Sequence, residues 1–314
     1  VTVGGNLVAT TDANNGVIIL DNLAVAGTIA FTPHGSGSVT IINDDGIDFA
    51  ASTIGGSLTT DDTAAFDVDE EITTGSIKGT VVLGTGGTNT VTYTGTYRHN
   101  TTGGIFAAGN TITGGTNGNT RVISSSGVAN GTLTATATTG NITQSGALHI
   151  TGRSTFTTSE ADADITLQNT SNNFYDDVAF FTAGTTGNVA VYDSTNFYFA
   201  PSTIRGNLTV ETANATNTQI GDGEDAEGNP AILTVTGTTS LLASGTNLAK
   251  AATIYMRDFG HIFGDSVSAE GHHVYIQSGS AIELGAIRSG WGQFILTSNG
   301  ADSHVTQSDT GYIQ

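Results

Sequence analysis

The apolar residues of this chain come two apart, in short bursts, and the bursts recur. In Ser38 to Thr60 (SVTIINDDGIDFAASTIGGSLTT) the inward candidates are Val39 and Ile41, then Ile47 and Phe49, then Ile54 and Leu58. Asn, Asp, Gly and Ala fill the gaps between them. Alternation over three to five residues reads as a half-buried strand, and clusters of turn formers read as corners. The same pattern returns at Asn188 to Val210 (NVAVYDSTNFYFAPSTIRGNLTV) with a constant offset of 150 and no gap. Val39 falls on Val189, Ile41 on Val191, Ile47 on Phe197 and Phe49 on Phe199. Ser52-Thr53-Ile54 falls on Ser202-Thr203-Ile204, and Leu58-Thr59 on Leu208-Thr209. A looser third copy, His273 to Leu296, has Val274, Ile276, Ile282 and Leu284 in the same slots. The spacing predicts strand, corner, strand, with Phe49/Phe199, Ile54/Ile204 and Leu58/Leu208 pointing inward.

The rest of the chain divides by how well it keeps this pattern. Residues 1–60 read as coils of the repeat. Residues 61–139 fit it least and read either as degenerate coils or as an inserted β excursion, with strands at Thr80 to Leu83, Thr90 to Tyr97 and Arg121 to Ser124. Residues 140–314 carry units of about 85 residues: Leu148 to Gly152 matches Leu233 to Gly237 at an offset of 85, as Val189 and Val191 match Val274 and Ile276. Within each unit, strand pairs recur about every 20 residues. A unit with one apolar stripe and no helix cannot bury that stripe alone and must stack on its neighbours. The expected architecture is therefore an all-β solenoid of parallel coils. At ~4.8 Å per coil, about fifteen coils give a rod on the order of 70 Å long. Gly-Asn pairs at 5–6, 140–141, 187–188 and 206–207 are expected at corners that need positive φ. A string of β-sandwich domains is the competing architecture, but it calls for units of about 100 residues with longer strands.

Composition sharpens this. Charged residues are 11%, well below the roughly 25% of an ordinary domain, while Thr, Val, Ile, Asn and Gly abound, so strands and turns are favoured over helices. The net charge of −20, from 8 basic and 28 acidic residues, argues against nucleic acid and against anionic membrane surfaces as partners. The absence of Cys excludes disulfides and thiolate metal sites. No apolar run approaches the ~18 residues of a membrane-spanning helix, so no membrane insertion by helices is expected. The chain opens in mid-pattern without a starting Met, as a mature chain or a piece of a longer one would.

Gly140 to Gly146 (GNITQSG), Leu148 to Thr157, Ile165 to Phe174 (ITLQNTSNNF) and Ser202 to Val210 (STIRGNLTV) resemble the repeats of filamentous-haemagglutinin-like bacterial surface adhesins and autotransporter passenger β-solenoids. The likeness covers 140–314 well, 1–60 moderately and 61–139 hardly. It implies a right-handed parallel β-helix, an extracellular or cell-surface location, and a role in adhesion or in a fibre.

Candidate chemistry is sparse. The sharpest local feature is the loop Gly221 to Asn229 (GDGEDAEGN), in which Asp222, Glu224, Asp225 and Glu227 put four carboxylates on a Gly-rich segment. Oxygen ligands on a flexible loop suit Ca²⁺, the one cofactor this composition suggests; the competing reading is a solvated loop between coils. The acidic run Asp67 to Glu71 is a weaker candidate of the same kind. His272-His273 has no other His near it in sequence, and His149 and His261 read as residues on a strand face. Trp291 with Tyr192, Tyr198 and Tyr275 could form a sugar-stacking strip, or serve the core. Asn-x-Ser/Thr triplets at Asn100, Asn130, Asn141, Asn169, Asn207 and Asn214 are glycosylation acceptor patterns that a chain this rich in Asn and Thr contains by chance. A polysaccharide-degrading β-helix enzyme is the least favoured class, because the acids lie in loops that the repeats do not share. The sequence points to a non-catalytic extracellular solenoid of a cell-surface fibre. Its partners are copies of itself end to end, or further repeats of a longer chain. The alternative is an adhesin that binds surface glycans.

Overall fold

The computed structural model describes residues 2–11, 16–33, 37–44, 46–54, 131–213, 218–224, 231–243, 252–290, 292–299 and 303–314, and, by backbone alone, strands within 57–125 and Thr310. Among them every regular element is a strand.

The strands stack as successive turns of a parallel β-solenoid. One sheet runs from Thr2–Val3 through Ile18–Val25, Val39–Asn43, Leu133–Ala137, Ser154–Ala161 and Val178–Ala183 to Phe294–Ser298. A second runs from Leu7–Thr10 through Thr28–Thr32, Ile47–Phe49, Ile142–Gln144, Ile165–Leu167 and Val189–Asp193 to Val305–Ile313, eleven strands in all. Ser52–Ile54, Leu148–Ile150 and Asn173–Phe174 form a short third side. The coils at each end have two sides and those between have three. Eleven rungs span about 50 Å, less than the rod of about fifteen coils expected from the sequence, because corners and an insertion take up part of the chain.

The insertion is the departure within 61–139. The strands Ser57–Thr60, Glu71–Thr74, Ile77–Thr85, Gly95–Thr102, Thr111–Gly114 and Thr120–Ser125 pair with one another, antiparallel, as a closed six-stranded barrel. Coils end at Ile54 and resume by Leu133, so Leu58 belongs to the barrel and its side chain lies outside the described residues. The coil on either side closes over the gap: Val39 pairs with Leu133, Ile47 with Ile142 and Ser52 with Leu148.

Alternation decides the core. Phe49, Ile54, Phe199 and Ile204 are wholly buried and Leu208 nearly so. The wide three-sided section is filled by phenylalanines. Phe156 and Phe180 stack at 5.8 Å, Phe180 and Phe197 at 6.3 Å, and Phe174 meets Phe156 edge-on at 6.1 Å. Ala135 pairs with both Ile41 and Phe156, a small residue between large ones.

Two polar devices hold successive coils in register. At the entrance to the second sheet each coil hydrogen-bonds to the one before through a side-chain oxygen. Asp164 N donates to Asn141 Oδ1 at 2.8 Å, Asn188 N to Asp164 Oδ1 at 2.7 Å, Asn207 N to Asn188 Oδ1 at 2.8 Å and Thr238 N to Asn207 Oδ1 at 2.9 Å. Asn6 serves Thr28 N in the same way. Here the Gly-Asn pairs show their use. Of their glycines only Gly140 has positive φ, at 70°. Gly206 is required by space instead, since a Cβ would lie 2.5 Å from Thr186 O and 2.7 Å from Asn188 Oδ1.

The second device explains the serine of the repeat. The straight strand Thr28–Thr32 is covered in the next coil by two short strands, Ile47–Phe49 and Ser52–Ile54, meeting at a corner. The straight strand Val178–Ala183 is likewise covered by Phe197–Phe199 and Ser202–Ile204. At each corner the serine hydroxyl stands in for a carbonyl. Phe31 N donates to Ser52 Oγ and Phe180 N to Ser202 Oγ, both at 3.1 Å, and each hydroxyl passes its own proton to Ala50 O or Ala200 O.

Ser202→Ala is expected to lower stability by about 1–3 kcal/mol, because it strands the buried Phe180 N–H. Gly206→Ala is expected to cost about as much through overpacking. Ser171→Ala in an exposed turn should stay within about 0.5 kcal/mol of the parent. Urea denaturation followed by circular dichroism checks all three, and a neutral Ser202→Ala would show that the corner does not rest on this hydroxyl.

Candidate functional site

Where a strand gives way to the next corner, the three copies of the repeat place Asn43, Asp193 and Ser278 in one inward slot, all fully buried; Asn43 and Ser278 end first-sheet strands and Asp193 a second-sheet strand. The alternation Val189, Val191, Asp193 is what directs the carboxylate inward. Each of the three side chains grips the coil before it and its own turn. Asn43 accepts from Val25 N at 2.9 Å and donates to Gly46 O at 2.9 Å. Asp193 accepts from Phe174 N at 3.0 Å and from Thr195 N at 2.7 Å. Ser278 donates to His261 O at 2.9 Å and accepts from Ser280 N at 3.1 Å. Only Asp193 is ionisable. Burial pushes its carboxyl up to about 7, and the hydrogen bonds from Phe174, Thr195 N and Thr195 Oγ1 oppose that rise without cancelling it. Nothing in the repeat match flagged this residue, although the offset of 150 sets it on Asn43.

The acidic loop is held to the solenoid at its start. Asp222 Oδ2 accepts from the backbone N–H groups of Arg257 and Asp258, and Asp222 Oδ1 faces His261 Nε2 at 2.8 Å. His261 is wholly buried, which corrects its reading as a face residue; its turn directs the ring inward, onto the first carboxylate of the loop. Its Nδ1 accepts from Leu233 N at 3.1 Å, so Nε2 carries the proton and donates to Asp222. The Glu224 backbone N–H donates to Asp177 Oδ2 at 2.8 Å, and Arg153 reaches both Asp177 and Glu224 O. Gly223 lies against Asp177, where a Cβ would come within 2.2 Å of the carboxylate carbon. Asp225 and Glu227 lie outside the described residues, as do Asp67 and Asp69. The structure therefore places Asp222 on backbone and His261, with the exposed Glu224 apart from it. Among the described residues no three His, Asp or Glu side chains gather as metal ligands.

The outer surface of the first sheet changes character beyond Val178–Ala183. Elsewhere its outward positions are mostly Thr. Here the register aligns Tyr198, Gly221, Tyr255, Tyr275 and Ile295 in one column on successive rungs. Tyr198 and Tyr275, singled out from the sequence, share this column; Tyr192 lies on the second sheet, and Trp291 is outside the described residues. Tyr255, which sequence reading passed over, completes it. Tyr255 and Tyr275 meet edge to face at 5.0 Å, and the guanidinium of Arg257 lies 4.6 Å from the Tyr255 ring centre. A parallel column of polar residues adjoins. Gln219, Thr253 and His273 are in register, Gln219 N donates to Asn196 Oδ1, and Gln293 N donates to His273 Nδ1. Tyr198 Oη donates to Gln219 at 3.3 Å, and Tyr275 Oη to Gln293 at 2.8 Å. His272 and His273 lie edge to face at 4.6 Å, and His273 is near-parallel to Tyr275. His149 stands on the third side, and burial lowers its pKa.

These features define a repeat protein with a parallel β-solenoid fold. A family model described as repeats of unknown function (DUF5649) matches residues 108–180, from the last two barrel strands through the first two coils beyond them. No curated protein and no solved structure matches the chain.

Asp193 gives a signed pH dependence. Its folded pKa of about 7 lies above the unfolded value near 3.8, so the folded state holds the proton more tightly. Stability from this group is complete below about pH 4 and falls as pH rises to about 7, by roughly 3–4 kcal/mol. Asp193→Asn, which installs the residue of the sister slot at Asn43, is expected to flatten that fall. Thermal melts of parent and variant from pH 4 to pH 8 check it, and parallel profiles would contradict the assignment.

Proposed function

We propose that this protein is a non-catalytic, extracellular structural module, a length of β-solenoid belonging to a cell-surface fibre. The observation that carries the reading is that both long sheets pass through the whole solenoid and are open at both ends. Thr2–Val3 starts the sheet that Phe294–Ser298 finishes, and Leu7–Thr10 starts the one that Val305–Ile313 finishes, every pairing in both being parallel. The end coils share a two-sided outline. Their inward side chains are only partly covered: Val3, Leu7 and Ala9 at one end, Phe294 and Leu296 at the other. Val305 and Ile313 on the last rung are about half exposed, at 49% and 55%. Further coils, from a second copy or from the same polypeptide, would extend both sheets and bury those residues. Such a contact is head-to-tail and does not close, so it generates filaments. The low charge content and the Thr-rich outer face suit a surface polymer of this kind.

The 314-residue chain is expected to form filaments that grow with concentration, seen by light scattering and electron microscopy. Val3→Lys together with Ile313→Lys should abolish them and leave the strand signal in circular dichroism intact, because each of the two sheets that the junction continues would then have to bury an unpaired charge. Monomers that persist at high concentration, or filaments indifferent to the lysines, would contradict end-to-end growth.

A further inference from the structure

We infer that the outer face bearing Tyr198, Tyr255 and Tyr275 is a binding site for a neutral polysaccharide chain lying along the solenoid axis. The inference is independent of end-to-end growth, since a single copy carries the whole site. Three observations lead to it. First, the rings share one column in register over successive rungs spaced ~4.8 Å apart, with Gly221 between Tyr198 and Tyr255. Gly221 adds no side chain to interrupt the column, and Tyr198 Cδ1 lies within 3.6 Å of where its Cβ would stand. The result is a ridge of phenol rings along the axis, an elongated shape that suits an extended polymer better than a small solute.

Second, the ring edges carry hydrogen-bonding groups in an adjoining column. Gln219 and Gln293 each turn the carboxamide oxygen to a tyrosine hydroxyl, which leaves the amide nitrogen as a donor, and the phenol oxygens remain acceptors. Apolar ring faces beside fixed donors and acceptors match the two surfaces of a sugar ring, its C–H face and its hydroxyl rim. Third, charge selects among polymers. The chain carries a net −20, so a polyanion is repelled, and the guanidinium of Arg257 is already engaged with the ring and hydroxyl of Tyr255. A neutral glycan meets neither obstacle. Tyr192, on the other long sheet, has no such neighbours in register: its rung partner is Glu211.

The test is sedimentation binding of the 314-residue chain to suspensions of a β-1,4-glucan and of an N-acetylglucosamine polymer. Affinity electrophoresis in a soluble neutral mannan and in polygalacturonate adds two further probes. Saturable binding to at least one neutral polymer is expected. Tyr255→Thr with Tyr275→Thr, which restores the Thr common on outward faces, should weaken it about tenfold or more. Tyr192→Thr should leave it unchanged. Circular dichroism and melting temperature report whether the double variant keeps its fold. Should it not, Gln219→Ala and Gln293→Ala provide the test, with an expected loss of about threefold or more. No binding to any neutral polymer, binding to polygalacturonate alone, or full binding by folded variants would overturn the inference.

Discussion

A rung of a parallel solenoid is stable only when another rung of the same outline lies on each side of it. The hydrogen bonds of its strands run along the axis, to the coils before and after, and strand does not pair with strand inside the rung itself. Each change of outline from one coil to the next therefore leaves a donor or acceptor to be satisfied by other means. The corner serines meet this need. Where a straight strand is covered by a bent pair, Ser52 and Ser202 supply the acceptor that the bend removes. The Asn and Asp column at the entrance to the second sheet does the complementary work, fixing where each new strand begins over four consecutive rungs. Asn43 and Ser278 grip the preceding coil at the exit from the first sheet, and Asp193 does so at the exit from the second.

With register fixed in this way, the coils tolerate large additions at corners. The barrel strands of 57–125 lie between two coils that pair with each other directly, rung on rung. Closing a long loop costs entropy that grows only with the logarithm of its length, so the position of the exit and return matters far more than the size of what lies between. The start of the acidic loop is anchored in the same way, with Asp222, Gly223 and Glu224 held by His261, Asp177 and Arg153. Middle and ends differ in girth for a related reason. Three sides enclose more volume than two, and the cluster of phenylalanines from Phe49 to Phe199 fills it.

Strand, corner and inward position were legible in the sequence because all three are written in the period-two pattern. What the pattern does not encode is the side of the solenoid on which a strand lands. Val39 and Ile41 lie in the first sheet and their matches Val189 and Val191 in the second, so the two copies carry one local unit turned by one side. Nor could it separate the barrel from the coils. The barrel strands draw on the same Thr, Gly, Val and Ile, and antiparallel closure depends on pairing partners distant in sequence. The Gly-Asn pairs suggest unusual backbone angles, which Gly140 has, yet Gly206 is set by close approach of the coil below. His261 gave no inward signal because it precedes its strand, in a turn where alternation does not apply. The tyrosine column was half visible: Tyr198 and Tyr275 stood out as aromatics, but only register over several coils brings Tyr255 and the glutamines beside them.

If stacking is what holds each rung, protection should follow position along the axis. Amide hydrogen exchange resolved by residue, in solution dilute enough to keep the chain single, measures this directly. The account expects the strongest protection between Val39 and Ser278, with the Phe31 and Phe180 amides protected like their ladder neighbours. It expects steadily weaker protection toward Thr2–Thr10 and Phe294–Ile313, where a rung lacks one neighbour. End rungs as protected as the middle, or corner amides that exchange freely, would contradict it.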